Sequence, residues 1–228
     1  MAWALDRPTE DQLLRWIEAS LADGSHRLGA GYQAQALLYQ DGTQRLVIKV
    51  PAGRGLYRWL SRWMLRREAR AYARLAGFAG APRCFGLLGG QYLVLEYIAG
   101  EPARYADIAD REAFFAELLG RLEAMHARGV AHGDLQKKDN LWLIGGRHPM
   151  LLDFGAAIVR RPGFAPLNRW LFRFAVQLDF NQWAKLKTRG RPDRLTGDER
   201  RYYRRTLPEK IASLLKYPFR RIRVKHRP

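Results

Sequence analysis

Residues 131–155 read AHGDLQKKDNLWLIGGRHPMLLDFG. Within them Ala131-His132-Gly133-Asp134-Leu135 is followed by Asn140-Leu141-Trp142-Leu143, and then by Leu151-Leu152-Asp153-Phe154-Gly155. The apolar runs Leu141–Ile144 and Met150–Asp153 flank Gly145-Gly146 and predict a hairpin. That reading puts two carboxylates at the mouths of neighbouring short strands. One of them, Asp134, can accept a hydroxyl proton while the other, Asp153, holds a divalent cation against phosphate oxygens. The Asn140 amide is a suitable neutral oxygen ligand for the same metal. Taken singly, Asp134 also suits a turn and Asp153 a helix cap, so the weight lies on the ordered set.

Working upstream, Leu28-Gly29-Ala30-Gly31-Tyr32-Gln33-Ala34 stands directly before a strand. Glycines there let backbone N–H groups approach phosphate oxygens that a Cβ would hold away. Val47-Ile48-Lys49 places a lysine at the end of an apolar strand. The strands Ala34–Gln40 and Arg45–Val50 turn on Asp41-Gly42, and Cys84–Leu88 and Gln91–Tyr97 turn on Gly89-Gly90. Helices are expected over Thr9–Ala22, with Thr9 and Gln12 as its cap, over Leu56–Leu75, and over Arg111–Arg128 with Gly129 as its stop. The order is a β-rich first half with an inserted helix, then a mainly helical second half. This is an α+β, two-lobed arrangement of one domain over residues 1–228, with a first lobe to residue 98 and a second from residue 99.

The chain has 228 residues, 40 Lys and Arg against 22 Asp and Glu, and a formal net charge of +18. Residues 1–155 hold 20 basic and 17 acidic residues, whereas 156–228 hold 20 basic and 5 acidic. A near-neutral body with a strongly basic C-terminal third points to an anionic partner, and charge alone does not choose among nucleic acid, anionic lipid and phosphorylated glycan. The single cysteine, Cys84, excludes an internal disulfide and fits a reducing compartment. Acidic residues near the N-terminus argue against a signal peptide, and no stretch is apolar enough to cross a bilayer, so the expectation is a cytoplasmic protein, soluble or peripheral.

The set of glycine loop, strand lysine, His-Gly-Asp and Asp-Phe-Gly resembles the protein-kinase-like superfamily over about Leu28 to Asp179. The resemblance implies ATP and Mg²⁺ as cofactors. It implies that Gly29 and Gly31 cover the phosphates, that Lys49 contacts them, and that Glu68 on the inserted helix pairs with Lys49. Glu96 and Ile98 lie in the stretch that would meet adenine through backbone groups. Asp134 resembles the catalytic base and Asp153 the metal-binding aspartate. The motif places its asparagine five residues after the catalytic aspartate. Here that position is Asp139 and Asn140 comes one later, so Asn140 is preferred as metal ligand because an apolar strand follows it directly, with Asp139 as the alternative. Glycine replaces the arginine of His-Arg-Asp, and no Ala-Pro-Glu follows. With 75 residues after Asp153, a shortened C-terminal lobe is expected.

A narrower resemblance, carried by His-Gly-Asp-Leu and by the run from Phe172 to Lys187, is to the bacterial lipopolysaccharide-core kinase group, the Kdo/heptose kinases, and to small atypical kinases. It implies phosphorylation of a hydroxyl on an anionic lipid-linked sugar or phosphorylated glycan at the cytoplasmic membrane face. An atypical Ser/Thr protein kinase is the alternative, and a nucleic-acid or anionic-surface binding module with a degenerate kinase core is a reading of another class. Arginines 54, 58, 62 and 66 sweep one side of the second helix, with Leu56, Trp59, Leu60, Trp63 and Met64 on the other. Leu167–Val176 repeats the aromatic-plus-arginine composition. Both segments suit an anionic membrane interface, and for the first the alternative is that its apolar stripe packs on the protein's own lobe.

Overall fold

The computed structural model describes residues 8–30, 34–137 and 139–204. Helix α1 (Glu10–Asp23) opens on the expected capping box. Gln12 N donates to Thr9 Oγ1 and Thr9 N donates to Gln12 Oε1, and Gly24 ends the helix at φ 74°. Five antiparallel strands follow, β1 (Arg27–Ala30), β2 (Ala34–Gln40), β3 (Arg45–Pro51), β4 (Cys84–Leu88) and β5 (Tyr92–Glu96), in the sheet order β1-β2-β3-β5-β4. The segment read as a loop before a strand is thus itself a strand up to residue 30, paired to β2 with a bulge between Arg27 and Gly29. Gly31 lies outside the described residues.

Alternation along the strands decides which side chain faces which helix. Leu46, Ile48 and Val50 of β3, with Tyr92 and Val94 of β5, pack beneath Leu13 and Ile17 of α1. The side chains between them, Val47, Lys49, Leu93 and Leu95, therefore turn to the opposite face, where helix α2 (Gly55–Arg74) lies. The inner stripe of α2 is Ser61, Leu65, Glu68, Ala69 and Tyr72, a helical spacing with one acid in it.

The second part is built on α3 (Arg111–Ala127), capped by Asp110, whose Oδ1 accepts Ala113 N. Phe114, Phe115, Leu118, Leu122 and Met125 of α3 form the expected apolar face and are buried. Helix α4 (Pro166–Lys187) begins on a proline, which suits the first helical turn. Its Trp183 is fully buried and donates Nε1–H to Phe115 O at 2.8 Å. Short strands complete the part: β6 (Glu101–Pro102) pairs with β8 (Leu141–Ile144), which pairs with β9 (His148–Leu151), and β7 (Val130–Ala131) pairs with β10 (Ile158–Val159). One correction falls here. The second strand of this hairpin spans His148–Leu151 rather than Met150–Asp153, because Arg147 N closes the turn on Ile144 O and pairing resumes at once. Asp153 is thereby released from the strand to cap a 3-10 turn over Phe154–Ala156. Among the described residues no helix is long and apolar enough to cross a membrane.

The two parts share one apolar core, running from Leu65, Ala69 and Tyr72 through Leu93 and Leu95 to α3, Leu141, Leu151 and Trp183. At the link between them, a Cβ on Gly100 would stand 2.5 Å from Leu143 O, a backbone atom that cannot swing aside. Gly120, within α3, has nothing within 4 Å of such a Cβ. Thermal or chemical denaturation should therefore show Gly100→Ala destabilised by about 1–3 kcal/mol. In the same assay Gly120→Ala should be neutral or stabilised by about 0.5–1 kcal/mol. Equal effects of the two substitutions would show that the link does not need this close approach.

Candidate active site

Lys49 sits between two carboxylates. Its Nζ lies 2.6 Å from Glu68 Oε1 and 3.0 Å from Asp153 Oδ1, bringing together three residues drawn from β3, α2 and the turn after β9. The strand alternation above is the reason Glu68 meets Lys49. Burial would push the Lys49 ammonium down, but the two carboxylates hold it above its ordinary value. Glu68, nearly inaccessible, is raised by burial against the pull of Lys49. For Asp153 burial opposes ionisation, yet Lys49 and Lys137 outweigh it and keep the carboxyl well below the usual carboxylate range. Asp153 takes a left-handed backbone, φ 61°, which aspartate tolerates better than most residues, and its Oδ1 accepts Gly155 N.

Lys137 was not among the residues the sequence singled out. Its Nζ donates to Asp153 Oδ2 at 2.9 Å, so each oxygen of that carboxylate carries an ammonium group. Its place three residues after Asp134, in the same loop, was the available signal.

The loop from His132 to Asn140 is held from below. Asp179 of α4, fully buried, accepts His132 N on Oδ2 and Gly133 N on Oδ1, each at 2.7 Å, and His126 Nε2 lies 2.9 Å from Oδ2. One turn on, Gln182 Oε1 accepts Leu135 N at 2.7 Å. Asp134 N donates to His132 Nδ1, which leaves Nε2 to carry the ring proton and donate to Leu152 O at 2.9 Å. Asp179, Gln182 and Trp183 share one face of α4 by helical spacing, yet nothing local tells that this face lies under a loop some 45 residues earlier.

Gly133 is required on two counts, a φ of 78° and an Ala156 O that a Cβ would approach to 3.2 Å. The glycine of His-Gly-Asp is thus a backbone requirement of this loop. Asn140 is buried and donates Nδ2–H to Asp134 O at 2.8 Å, whereas Asp139 is exposed and offers its carbonyl to Trp142 Nε1. The structure therefore brings Asn140 to Asp134 and leaves Asp139 outside. Above the loop, Phe154 packs between Tyr72 of α2, edge-on at 67°, and His132, tilted at 52°, with both ring centroids 5.0 Å from its own.

Glu96 and Ile98 lie in the link between the two parts. The Glu96 carboxylate accepts Arg83 N at 3.0 Å and its own N–H donates to Arg83 O, so its polar groups are turned towards the start of β4, and Ile98 is half-buried. Gly29 pairs with Ala36 at the sheet edge. Beside the loop lies a cleft of about 570 Å³ lined on its polar side by Arg104, Arg111, Lys137, Lys185 and Arg189, with no carboxylate. Burial and the like charge of Arg189 lower Arg111 from its ordinary value.

No protein-family model matches the sequence, and no curated protein matches it. Solved structures do match in fold. The Rio2 kinase–ADP/Mg²⁺–phosphoaspartate complex from Chaetomium thermophilum superposes with a TM-score of 0.57 at 17% identity, over 84% of this chain and 65% of that one. The Rio2 kinase from the same organism gives 0.56 at 17%, over 87% and 69%. The chain therefore spans just under two thirds of the first of these. It has a protein-kinase-like fold, α+β, with a sheet-rich first part and a helical second part.

Asp179→Asn would turn an amide N–H₂ toward at least one of the N–H groups it now accepts. Denaturation should show a loss of about 1–3 kcal/mol, with faster amide exchange at residues 132 and 133. Asp134→Asn, half exposed, should stay within about 0.5 kcal/mol. An Asp179→Asn protein as stable and as protected as the native one would remove Asp179 from its role as the loop's support.

Proposed function

We propose that the chain is an ATP- and Mg²⁺-dependent phosphotransferase with an alcohol acceptor. The observation that carries this is the Lys49–Glu68–Asp153 cluster, joined to the Asp134 loop by the Lys137–Asp153 ion pair. The complex of one structural neighbour with ADP and Mg²⁺ supports the same reading. On this reading the nucleotide lies between a first lobe to residue 98 and a second from residue 99, beneath Gly29 and Gly31 and against the Glu96–Ile98 link.

Lys49 neutralises phosphate charge, with Glu68 fixing its direction. Asp134 is tied at both ends of its own residue, by N–H to His132 Nδ1 and by C=O to Asn140, so its backbone is fixed, and on this reading its carboxylate orients and deprotonates a hydroxyl. The donors suit Mg²⁺: Asp153 stays ionised, and the Asn140 amide, its N–H already committed to Asp134 O, has its oxygen to offer. Mg²⁺ held by these two oxygens would neutralise charge on the phosphates. Lys137 keeps a further positive charge beside Asp153.

The structural likeness to a kinase named Rio2 favours a protein Ser/Thr hydroxyl as acceptor over the lipopolysaccharide-core sugar. One observation favours the sugar: the carboxylate-free basic cleft beside Leu135, Gln136 and Lys137 suits an anionic acceptor such as a phosphorylated glycan. Labelled ATP offered separately to a protein extract and to core oligosaccharide separates the two by which product carries the phosphate. The binding-module reading has the cluster against it, since a degenerate core has no need of a paired Lys49.

Asp134→Asn should bind nucleotide nearly as the native protein does, with turnover lowered by roughly 10²–10⁴-fold. Asp153→Ala should weaken Mg²⁺-nucleotide binding as well as turnover, and Asn140→Ala should raise the Mg²⁺ requirement more than Asp139→Ala does. Native turnover in Asp134→Asn sinks the assignment of the base. A greater effect at Asp139 transfers the metal to it.

A further inference from the structure

The amphipathy of α2 is inverted. Its arginine side faces the protein: Arg58 and Arg62 donate to Gln91 Oε1, and Arg66 Nε donates to Gly90 O, all at the β4–β5 turn. Its apolar side faces outward, with Leu56 81% and Trp59 61% exposed and Leu60 and Trp63 more than two fifths exposed. These four positions follow the spacing of one helical face. The start of α4 repeats the arrangement. Leu167 is 69% and Trp170 62% exposed, Leu171 and Phe174 continue the same face, and Phe164 just before the helix is 95% exposed.

The two outward faces border one groove. Trp63 of α2 and Leu171 of α4 line a hollow of about 660 Å³ with Arg67, Arg70, Arg74, Arg160 and Arg161. An adjoining hollow of about 480 Å³ shares Arg160 and Arg161 and adds Arg169 and Arg173. No carboxylate lines either hollow. Soluble proteins seldom leave so many large apolar side chains outward on adjoining helices without a partner for them.

We infer that this surface, the outer faces of α2 and of the first half of α4 with the arginine groove between them, docks on an anionic lipid bilayer. Tryptophan and leucine enter the boundary between headgroups and acyl chains, and the guanidinium groups meet lipid phosphates at headgroup level. The charge pattern selects this occupant. A second copy related by two-fold symmetry would bring arginine groove against arginine groove. A nucleic acid would satisfy the arginines but leave Leu56, Leu167 and Phe164 in water. This docking is independent of the phosphotransfer reading, and either can fail without the other.

The test is flotation of the full chain with phosphatidylcholine vesicles and with vesicles that also contain phosphatidylglycerol, at low and high salt. The tail 205–228 adds eight basic residues, so variants that leave it intact carry the argument. Trp59→Ser with Trp170→Ser, and separately Arg70→Glu with Arg161→Glu, should each weaken binding to the anionic vesicles by about tenfold or more, with unchanged circular dichroism. Brominated lipid should quench tryptophan emission in the native chain and much less in the tryptophan pair. No binding to anionic vesicles at low salt overturns the inference. So does binding untouched by either pair, or a soluble dimer that the tryptophan pair converts to monomer.

Discussion

A buried carboxylate on α4 sets the position of everything above it. Asp179 receives the N–H groups of His132 and Gly133 and the ring of His126, all from the α3–β7 region, while its own backbone belongs to a helix that begins after the last short strand. Taking a carboxylate out of water costs several kcal/mol, and charge-assisted hydrogen bonds of about 1.5–3 kcal/mol each offset it. The balance contributes little net stability. What it fixes is geometry: two consecutive N–H groups pointing at one carboxylate leave the loop a single course, and the positive φ of Gly133 is the conformation that course demands.

From that anchor a column of side chains rises into the sheet-rich part. His132 is seated on Asp179 through its backbone, Phe154 packs on His132, and Tyr72 packs on Phe154. Tyr72 lies one turn beyond Glu68 on α2, so the column and the Lys49–Glu68 pair constrain the same helix at neighbouring turns. A shift of α2 away from the sheet would break the ion pair and unstack Phe154 together. Phe154 is bonded to Asp153, whose carboxylate holds Lys49 and Lys137, so the positions of the charges and the packing of the rings are one constraint. The Lys49–Glu68–Asp153 cluster is therefore tied to the core that Tyr72, Phe154 and Leu122 share.

The sheet-rich half was largely legible because its signals are local. Asp41 illustrates this: its Oδ1 accepts Thr43 N and Gln44 N, so the turn between β2 and β3 is written in four residues. The capping box at Thr9 and the face of α3 are read in the same way. The pair β7 and β10 was missed because two residues apiece are too short to show alternation. Glu68 could be named by likeness, but its meeting with Lys49 follows from alternation in β3, which buries Leu46, Ile48 and Val50 beneath α1 and leaves Lys49 to the other face. Asp179 and Gln182 act on a loop distant in sequence, and Lys137 acts through an aspartate beyond a hairpin. No local pattern encodes such pairings.

The second helix shows where pattern reading has a built-in ambiguity. A wheel of α2 separates arginines 58, 62 and 66 from Leu56, Trp59, Leu60 and Trp63, and hydrophobic patterning alone assigns the apolar side to the core. The structure assigns the first half of α2 the other way and the second half normally, since Leu65, Ala69 and Tyr72 are buried. Both are possible on one helix because the inner stripe of its later turns continues backward through Ser61, whose hydroxyl accepts Ala52 N, rather than through the tryptophans. Long arginine stems can cover the β4–β5 turn while their heads find Gln91 and Gly90. The position of Glu68 fixes the rotation of the whole helix, since only one rotation brings it to Lys49. With that rotation set, Trp59 and Trp63 have nowhere to point but outward, so the requirement of the ion pair is what exposes the apolar face.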